Sequence, residues 1–581
     1  MEDNRVHKRS KILNNVDKIN NLKEMFNNVR NKYANESAFI LKTKTPGVYK
    51  EVTYKEYGEI VDAFGISLIN MGLKDERIAI ISENRYEWMV SYLAITGGVG
   101  IVVPLDRSLP KEELITSINR SKVSSIIYSE KYEDIMNEIN GDKENNLKYF
   151  ISMDKEKTKE NMYSFKELIS AGKELVANGD KRYIDSQVDE DTMAIMLFTS
   201  GTTAMSKIVM LSHKNICSNL NDIQAVFDVN KSDTYLSFLP LHHVFECTVA
   251  FLYATSQGAK IAFCEGLRHI AENVKEYHIT AMIVVPALIE GIYRQIWRNI
   301  EKGGKTKKVK FGLKLSKFLR VFGIDKRRKI FKEIIDGLGG ELRLVVAGGA
   351  ALDKETEKGF NDFGIDTYQG YGLTETSPVI AAEHKTVQKY GSIGMLFPSV
   401  EGKIFEPDED GVGELIIKSP TVMLGYMNND EANKEAIDED GWFHTGDLAY
   451  FDKDDYLFIT GRKKSVIVLQ NGKNIYPEEL EMIIDKLDGV KESFVYGKAD
   501  SKDKDNDLKL GVKIVYDEKV MEDQFNLTKE DEIKEFLWQK IKEINKTMPT
   551  YKYIKGIIIT KEPLIRTTTL KIKRFEEIKT I

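Results

Sequence analysis

Short apolar runs alternate with longer segments of helical periodicity over most of the chain. Representative runs lie at residues 77–81, 100–104, 193–198, 281–285 and 342–347. Strands that alternate with helices build βαβ units, so this pattern predicts a mainly parallel sheet with helices on its faces. We therefore predict an α/β fold whose large N-terminal domain contains parallel or mixed sheets layered with helices.

The hydrophobic pattern changes near residue 460. Downstream elements are predicted as strands at 465–469, 510–516 and 553–559, and as helices at 478–486 and 532–544. A segment of this size is sufficient for a small α+β domain. We place the N-terminal domain at residues 1–461 and a small mobile C-terminal domain at residues 462–581.

One long uncharged run, residues 88–105, is nearly long enough to cross a membrane. It contains Gly97, Gly98, Gly100 and Pro104, so a buried helix followed by a buried strand is the better interpretation. The first residues are polar, with no apolar stretch behind them, so no secretory signal is expected there. These features predict a cytoplasmic protein whose first twenty residues form a polar arm or a first helix.

Composition narrows the classes of function. The 581 residues include 84 Lys or Arg and 90 Asp or Glu, which gives a formal net charge of −6. A mildly acidic chain is a poor candidate for a dedicated nucleic-acid binder, and we expect no nucleic-acid partner. The cysteines at positions 217, 247 and 264 have no zinc-ligand spacing and fit a reducing compartment.

One segment departs from the near-equal numbers of basic and acidic residues. Between Arg294 and Lys332 there are fifteen Lys or Arg and two acidic residues, interleaved with aromatic and aliphatic side chains. One interpretation is a solvated insertion whose apolar side packs on the body of the protein. The other is peripheral attachment to anionic lipid, to which each basic residue near the surface contributes about 1 kcal/mol. A phosphate-rich ligand could use the same charge.

The first chemical motif follows the predicted strand 193–198 and extends from Thr199 to Lys207. We expect this glycine- and hydroxyl-containing loop to connect a strand to a helix. Backbone N–H groups and hydroxyls in such a loop donate to phosphate oxygens, and a lysine adds positive charge. The loop is not of the GxxxxGK[ST] type, because Ser206 precedes the lysine and Ile208 follows it. An ordinary hydroxyl-rich turn is the alternative.

Several further segments follow in a fixed order. They are Leu239-Pro240-Leu241-His242-His243-Val244-Phe245-Glu246, Tyr368-Gln369-Gly370-Tyr371-Gly372-Leu373-Thr374-Glu375-Thr376, Gly411-Val412-Gly413-Glu414-Leu415, Gly441-Trp442-Phe443-His444-Thr445-Gly446-Asp447-Leu448, Ile459-Thr460-Gly461-Arg462 and Asn474-Ile475-Tyr476-Pro477-Glu478-Glu479-Leu480-Glu481. Together with the loop, they resemble the adenylate-forming (AMP-binding) superfamily, and specifically its long-chain fatty acid–CoA ligase branch. The resemblance extends roughly from residue 26 to residue 573.

The resemblance implies an activity and its cosubstrates. A fatty acid carboxylate would attack the α-phosphate of ATP, release pyrophosphate and form acyl-AMP, and coenzyme A would then accept the acyl group. Such an enzyme must hold two anions together and neutralise the charge that develops on phosphorus. ATP, Mg²⁺ and coenzyme A are the implied cofactors and cosubstrates.

The same resemblance implies roles for individual residues. Those that would surround the departing phosphates are Thr199, Ser200, Gly201, Thr202, Thr203 and Lys207. Those that would hold the nucleoside are Tyr371, stacked on adenine, Gly349 and Ala350 along the other face of the base, and Asp447 and Arg462 on the ribose. Thr374 would bond the α-phosphate, and Glu375 would bind Mg²⁺, a cation that prefers carboxylate and phosphate oxygens.

A second group of residues is implied for the change between the two half-reactions. The segment from Arg566 to Arg574 resembles the family's C-terminal motif, whose catalytic lysine corresponds to Lys571. The domain hinge corresponds to Lys464, and Gly472 would let the pantetheine arm pass the backbone. His243 corresponds to a gate that shifts between adenylation and thioester formation.

Three glycines that the family usually carries are replaced here by Ala204, Ile208 and Leu570. A lost glycine restricts the backbone and removes easy access to positive φ. Ile208 and Leu570 are bulky enough to slow the chemistry, so a degenerate pseudoenzyme that only binds nucleotide or acyl groups is one alternative. A membrane-surface lipid carrier is a rival from another class, but it would not need the nucleotide motifs.

The sequence specifies the carboxylic acid substrate and the acceptor of the acyl group less closely than the nucleotide. Short-acid relatives carry a bulky aromatic at the position of Gly372, so glycine there predicts room for a medium or long acyl chain. Coenzyme A is the expected acceptor in this branch, and an acyl carrier protein is the alternative. We expect fatty acid, ATP and CoA as small-molecule partners, with peripheral membrane contact through the segment from Arg294 to Lys332 as a further interpretation.

Overall fold

The structure is a computed structural model that describes residues 7–43, 45, 47–141, 147–199, 206–469, 473–499, 508–566 and 572–581. The strands in chain order are β1 (Ser37–Lys42), β2 (Tyr49–Thr53), β3 (Arg77–Ile81), β4 (Ile101–Pro104), β5 (Ser125–Tyr128), β6 (Tyr149–Ser152), β7 (Met162–Ser164), β8 (Met193–Phe198), β9 (Ile208–Ser212), β10 (Thr234–Ser237), β11 (Lys260–Phe263), β12 (Ala281–Val284), β13 (Leu344–Ala347), β14 (Asp366–Gly372), β15 (Val379–Ala382), β16 (Met395–Leu396), β17 (Glu401–Phe405), β18 (Gly413–Lys418), β19 (Gly425–Tyr426), β20 (Phe443–Phe451), β21 (Leu457–Arg462), β22 (Ile467–Val468), β23 (Asn474–Ile475), β24 (Val490–Ala499), β25 (Leu508–Tyr516) and β26 (Ile554–Thr560).

Helices connect most of these strands. In chain order they are α1 (Leu22–Lys32), α2 (Tyr54–Asn70), α3 (Tyr86–Ala94), α4 (Lys111–Ser121), α5 (Glu133–Gly141), α6 (Phe165–Ala177), α7 (His213–Val226), α8 (Tyr253–Ser256), α9 (Ile270–Glu276), α10 (Pro286–Lys302), α11 (Thr306–Val321), α12 (Arg327–Ile330), α13 (Lys332–Gly337), α14 (Lys354–Phe363), α15 (Asp430–Ala436), α16 (Pro477–Ile484), α17 (Glu518–Phe525), α18 (Glu530–Asn545) and α19 (Arg574–Glu577). Shorter 3₁₀ or π turns lie at Ile95–Val99, Glu130–Tyr132, Glu246–Leu252, Leu267–His269, Thr374–Thr376, Lys463–Ser465, Thr550–Lys552 and Ile578–Thr580.

Two large mixed sheets form the N-terminal part of the described chain. One has nine strands in the order β16-β15-β14-β13-β12-β10-β11-β1-β2, and the other has eight in the order β19-β9-β8-β4-β3-β5-β6-β7. A four-stranded antiparallel sheet, β17-β18-β20-β21, follows. The largest core joins Phe39 of β1 and Ile78 of β3 with Tyr57 of α2, so both large sheets share one buried interior.

The C-terminal part has its own sheet and core. Strands β24 and β25 pair antiparallel, and β26 adds in parallel to β25. Helices α16 and α18 cover this sheet through Leu480, Leu537 and Ile541, which are buried with Val512 of β25. The predicted combination of a large layered α/β region and a small α+β region is confirmed.

Local sequence signals explain several boundaries. Thr53 and Glu56 form a reciprocal capping box at the start of α2, and Ser212 and Asn215 form one at α7. The uncharged run 88–105 folds as α3, a π turn with Gly98 at φ 133°, and strand β4. It is therefore the buried helix and strand that the pattern predicts. In the part of the chain described, no helix has the length and apolar character needed to cross a bilayer.

The described start of the chain, residues 7–21, is a non-helical arm that packs on the body, where the His7 ring stacks on Phe451 at 3.7 Å and Ser10 donates its N–H to the Leu396 carbonyl. One predicted feature differs from the structure. The expected strand at 465–469 is reduced to the two residues of β22. Isolated apolar stretches do not reveal whether a partner strand continues beside them, and only two residues of β23 pair with β22.

Candidate functional site

The carboxyl ends of four neighbouring parallel strands bring several motifs to one edge of the nine-stranded sheet. Strands β10, β12, β13 and β14 lie side by side and point the same way. His243 follows β10, Gly349 and Ala350 follow β13, and Tyr371 lies at the end of β14. In open α/β sheets, this edge is where ligands bind, so the topology itself assembles the candidate site.

The β20–β21 pair supplies the second wall. Antiparallel register places Asp447 directly opposite Arg462, and Arg462 Nε lies 2.7 Å from Asp447 Oδ1. The Tyr371 hydroxyl donates a 2.5 Å hydrogen bond to Asp447 Oδ2. Burial and the adjacent Asp447 carboxylate raise the pKa of Tyr371 well above its usual value, so the phenol remains a donor. The structure thus brings together three of the residues predicted to hold the nucleoside.

The part of β20 that carries Asp447 is held by Glu414. Glu414 accepts a 3.0 Å hydrogen bond from the Gly446 N–H and pairs with Lys463 at 2.8 Å and with His444 at 3.3 Å. Burial alone would raise the pKa of Glu414. The contacts with Lys463 and His444 outweigh the effect of burial, so the pKa of Glu414 is lowered. Glu414 therefore stays charged and fixes the position of Gly446 and Asp447 within β20.

The phosphate-loop motif connects two strands, so the predicted strand-to-helix connection is wrong. Phe198 pairs with Ile208 across the antiparallel β8–β9 hairpin, and Thr199 donates its N–H to the Lys207 carbonyl at 2.9 Å. Helix α7 begins only after β9. The described ends of the motif are therefore joined to two strands, and no helix N-terminus follows it directly.

Ile208 fits this hairpin without strain. Its side chain is buried within the eight-stranded sheet's core, and a β-strand backbone does not need glycine. Arg120 of α4 supports the base of the loop, donating to the Ser206 carbonyl at 2.7 Å. Ile208 therefore places no strain on the described backbone of the hairpin, and its effect on activity stays a prediction. Arg120 was missed because it is distant in sequence from the motif.

Tyr426 links two of the predicted residues. Its hydroxyl donates a 2.9 Å hydrogen bond to Glu375 Oε1, and the Lys207 ammonium lies 4.3 Å from the centre of its ring. Strand β19 pairs with β9 and carries Tyr426 to this place. Sequence reasoning did not find Tyr426, and its only local signal is the preceding Gly425, which has φ 135°.

Glycine has different roles at two predicted positions. Gly349 has φ 86°, a conformation that L side chains rarely adopt. At Gly372, a Cβ atom would lie 1.8 Å from the carbonyl oxygen of Pro378. The space beside Gly372 is therefore filled by backbone, so this glycine is required by a close chain approach and does not argue for a long acyl tunnel.

Two histidines and an acid lie at the β10 end of the site. The rings of His242 and His243 are 4.2 Å apart, and His242 Nε2 lies 3.3 Å from Asp106 Oδ1. In the described residues, these three side chains bring ligand atoms within 4.8 Å of one another, a spacing that a metal ion can bridge. Nearby Glu246 is fully buried and accepts from the Ser237 hydroxyl at 2.8 Å. Burial raises the pKa of Glu246 to about 8.

Comparison with known families decides the membership of this chain. The family described as AMP-binding enzyme matches residues 26–427, more than half of the chain. The chain belongs to the AMP-binding enzyme family. The AMP-binding enzyme C-terminal domain matches residues 464–579.

Individual relatives of this AMP-binding enzyme match most of its sequence, and solved structures match its fold. Mouse long-chain-fatty-acid–CoA ligase 5 is 29% identical over 91% of this chain and 82% of its own. Fatty acyl-CoA synthetase B of Dictyostelium discoideum is 30% identical over 78% of this chain and 70% of its own. The crystal structure of the anthranilate CoA ligase AuaEII with anthranoyl-AMP superposes with a TM-score of 0.74, at 19% identity and covering 96% of this chain and 97% of its own.

The AMP-binding enzyme's C-terminal part contacts the site wall close to Gly461. A Cβ atom on Gly461 would lie 2.9 Å from Glu478 of α16, and Arg574 pairs with Glu478 at 3.2 Å. Lys486 forms a 2.6 Å ion pair with Asp353, the N-cap of α14 in the N-terminal part. The backbone near the predicted hinge is thus in direct contact with the helix that anchors the C-terminal motif.

Several predicted residues lie outside the described part of the AMP-binding enzyme. They are Ser200, Gly201, Thr202, Thr203, Ala204, Gly472, Leu570 and Lys571. The flanking residues of the last motif are described. Arg566 pairs with Glu492, and Arg574 pairs with Glu481 and Glu478, so both ends of the motif are anchored on the C-terminal sheet and helix α16.

Proposed function

We propose that this AMP-binding enzyme activates a medium- or long-chain fatty acid with ATP and transfers the acyl group to coenzyme A. The observation that carries the proposal is the convergence of Tyr371, Asp447 and Arg462 with the Lys207–Tyr426–Glu375 group within one family fold. Relatives named long-chain-fatty-acid–CoA ligases, matched over most of their length, support the fatty acid as substrate.

The first proposed step forms a mixed anhydride. A carboxylate oxygen of the fatty acid attacks the α-phosphorus of ATP, the bond from that phosphorus to the bridging oxygen breaks, and pyrophosphate leaves. Holding the two reactants in line can contribute roughly 7–11 kcal/mol toward the barrier. Thr374 would donate to the α-phosphate, while Lys207 and Lys571 would offset the negative charge of the phosphates and of the attacking carboxylate.

Nucleoside binding would use the wall described above. Asp447 would accept hydrogen bonds from the ribose hydroxyls, Arg462 would contact the same sugar, and the Tyr371 ring would stack on adenine. Gly349 and Ala350 would line the opposite face of the base. The β20–β21 register positions Asp447 and Arg462, the end of β14 positions Tyr371, and Gly349 and Ala350 follow β13.

Glu375 fits the role of a Mg²⁺ ligand. It is a carboxylate beside the phosphate loop, and Tyr426 fixes one of its oxygens by a hydrogen bond. When bound, Mg²⁺ supplies positive charge that offsets the charge of the phosphate oxygens. Tyr426 would orient the carboxylate, as outer-shell partners of metal ligands commonly do.

The second proposed step transfers the acyl group. The coenzyme A sulfur attacks the acyl carbonyl carbon, AMP leaves with the anhydride oxygen, and the thiol proton passes to solvent. We propose that the domain of residues 462–581 turns about Lys464 between the steps, with Gly472 beside the pantetheine arm and His243 as the gate. The start of the C-terminal family match at residue 464 supports this boundary.

Pyrophosphate release tests the proposal. Purified protein is given Mg·ATP and fatty acids of graded length, each with and without CoA. Sustained turnover only with CoA, with a maximum at one chain length, is the expected result. A single stoichiometric burst that CoA does not change would assign a carrier-protein acceptor, and no release with any acid would contradict adenylation.

A further inference from the structure

Helix α11 presents an apolar ridge to solvent. The ridge consists of Phe311, Leu315, Phe318 and Phe322, which are 67%, 38%, 60% and 65% exposed. Their spacing of four, three and four residues places them on one face of the helix, with Phe322 at its C-terminal cap. Surface helices of globular proteins normally bury such a stripe against the core. Helix α11 instead turns its apolar face toward solvent.

Packing on the opposite face of α11 fixes this orientation. Gly312 and Ser316 are the buried residues of the helix. A Cβ atom on Gly312 would lie 3.1 Å from Ile330 and 3.2 Å from the Phe331 ring, and Phe331 in turn packs on Phe363 of α14. Small residues thus allow α11 to lie close to the body, and there is no room to turn the phenylalanines inward.

The ridge is surrounded by positive charge. Between Arg294 and Lys332, fifteen Lys or Arg face only two acidic residues. Lys307, Lys310, Lys314 and Lys317 of α11 are all exposed, and none forms an ion pair with a carboxylate of the described residues. Lys305 differs, because it pairs with Glu333 at 2.6 Å. The segment therefore carries a net positive charge on a chain whose total is −6.

We propose that the α11 ridge and its flanking lysines dock this protein on the surface of an anionic phospholipid bilayer. A bilayer offers an apolar phase for the protruding rings and, directly above it, phosphates for the lysines, which is the arrangement that interfacial helices use. A second copy of the chain would bring two strongly positive surfaces together, which charge repulsion opposes.

Charge and shape also favour the bilayer over an acidic protein partner. Two bulky exposed rings of the ridge, Phe318 and Phe322, pack edge to face at 5.1 Å. A soluble partner would need a matching apolar groove, whereas a bilayer adapts to a protruding ridge. The proposal does not depend on the proposed ligase chemistry, because it involves none of the candidate site residues.

Vesicle sedimentation of the full-length protein tests the proposal. We expect binding to vesicles of phosphatidylcholine with 30% phosphatidylglycerol and little binding to phosphatidylcholine alone. High salt should weaken the binding, because exposed charges are screened. Soluble inorganic phosphate at the same phosphate concentration should not displace the protein, which separates a bilayer site from a free-anion site.

Two paired variants separate the apolar and charged contributions. Phe311→Ser with Phe318→Ser should weaken binding at least tenfold, roughly as expected for losing two inserted side chains. Lys314→Gln with Lys317→Gln should weaken it about 25-fold, since each basic residue contributes about fivefold. Matched controls are Leu267→Ser with Phe575→Ser, also exposed, and Lys534→Gln on α18 with Lys546→Gln at the C-cap of that helix.

Circular dichroism and thermal melting verify that each variant is folded. The proposal is overturned if wild-type protein does not bind anionic vesicles, or if both α11 pairs bind as well as the controls do. It is also overturned if the α11 pairs instead abolish self-association in sedimentation velocity, or binding to an acidic carrier protein, while vesicle binding is unchanged.

Discussion

Asp447 and Arg462 face each other across the β20–β21 ladder, with Arg462 Nε 2.7 Å from Asp447 Oδ1. The second oxygen of Asp447 accepts from the Tyr371 hydroxyl. Residues from three separate sequence motifs are therefore joined through one buried carboxylate. This fixed carboxylate sits between the end of β14 and the start of the C-terminal part, where the proposed nucleotide would lie.

Replacing Asp447 by Asn should weaken nucleotide binding. The amide retains the shape of the side chain but loses the ion pair with Arg462 and the charge-assisted bonds proposed for the ribose. Because hydrogen bonds to charged groups contribute about 1.5–3 kcal/mol, we expect the KM for ATP to rise roughly 10- to 100-fold. Steady-state kinetics with ATP varied checks this. Asp410→Asn, in an exposed loop, is the control, and an unchanged KM in Asp447→Asn would contradict the assignment.

Replacing Lys571 by Ala should separate the two half-reactions. Adenylate formation should fall about 10²-fold or more, in the range for deletion of one electrostatic stabiliser. CoA attack on supplied acyl-adenylate should largely survive, because the lysine is proposed to act only in the first step. Each half-reaction is measured by rapid quench.

Lys573→Ala is the matched control for Lys571→Ala. Lys573 is two residues away, lies on the surface and contacts Glu576 at 3.5 Å. Equal losses in both half-reactions of Lys571→Ala would refute either the role of Lys571 or the domain rotation.

Replacing Tyr426 by Phe should weaken Mg²⁺ binding while leaving the ring beneath Lys207. The change removes the hydrogen bond that orients Glu375. Mutation of such outer-shell partners commonly costs about 10- to 100-fold in metal affinity or activity, so the Mg²⁺ concentration for half-maximal rate should rise at least tenfold. Titration of activity with Mg²⁺ at saturating ATP measures it. Tyr450→Phe, a ring stacked on Phe458, is the control, and identical titrations would argue against Tyr426.

Replacing Gly372 by Ala should destabilise the fold, whereas Gly370→Ala in the same strand should not. The new methyl group at position 372 would meet the Pro378 carbonyl, while at position 370 the nearest atom is 3.7 Å away. Overpacking a rigid backbone typically costs about 1–3 kcal/mol or more in unfolding free energy. Urea unfolding of both variants checks the contrast, and equal stability would mean that β15 yields easily.

Burial of Glu246 predicts a stability that decreases as the pH rises. Its pKa is raised to about 8 in the folded protein by burial, which outweighs the Ser237 hydrogen bond, against roughly 4.3 in the unfolded chain. Between these two values the unfolded chain binds fewer protons than the folded protein. The free energy of unfolding therefore falls with pH through this window.

Glu246→Gln should remove this contribution, because the amide resembles the neutral acid at every pH. Relative to wild type, the variant should gain on the order of a few kcal/mol in unfolding free energy between pH 5 and pH 8. Denaturant unfolding at several pH values measures the difference. Glu51→Gln, at an exposed position of β2, serves as the comparison. A wild-type-to-variant difference that is constant with pH would contradict the buried neutral acid.

Where buried strands dominate, the sequence was sufficient to predict the fold. The runs at 77–81 and 193–198 are apolar because both faces of these strands are covered, and they correspond to β3 and β8. The sequence alone did not assign the motif around Tyr371 to a strand, whereas in the structure Tyr371 lies within β14. The β8–β9 hairpin could not be predicted, because Ile208–Ser212 is short and is followed directly by the capping box of α7.

Contacts between distant segments account for what the sequence did not reveal. Tyr426 reaches Glu375 only because β19 pairs with β9, and Arg120 reaches Ser206 only because α4 ends beside the hairpin. The close approach at Gly372 is set by the backbone of Pro378. The outward orientation of α11 depends on Gly312, whose small size matters only once Phe331 lies against it. None of these relationships has a periodic signal along the chain.

The most direct test of the account follows the oxygen atoms of the acid. A fatty acid labelled with ¹⁸O in both carboxylate positions is incubated with the enzyme, Mg·ATP and CoA, and the products are analysed by mass spectrometry. Attack of the carboxylate on the α-phosphorus predicts AMP that carries one ¹⁸O atom, unlabelled pyrophosphate and an acyl-CoA that retains the other. Label in pyrophosphate or inorganic phosphate, or unlabelled AMP formed together with acyl-CoA, would contradict an acyl-adenylate intermediate.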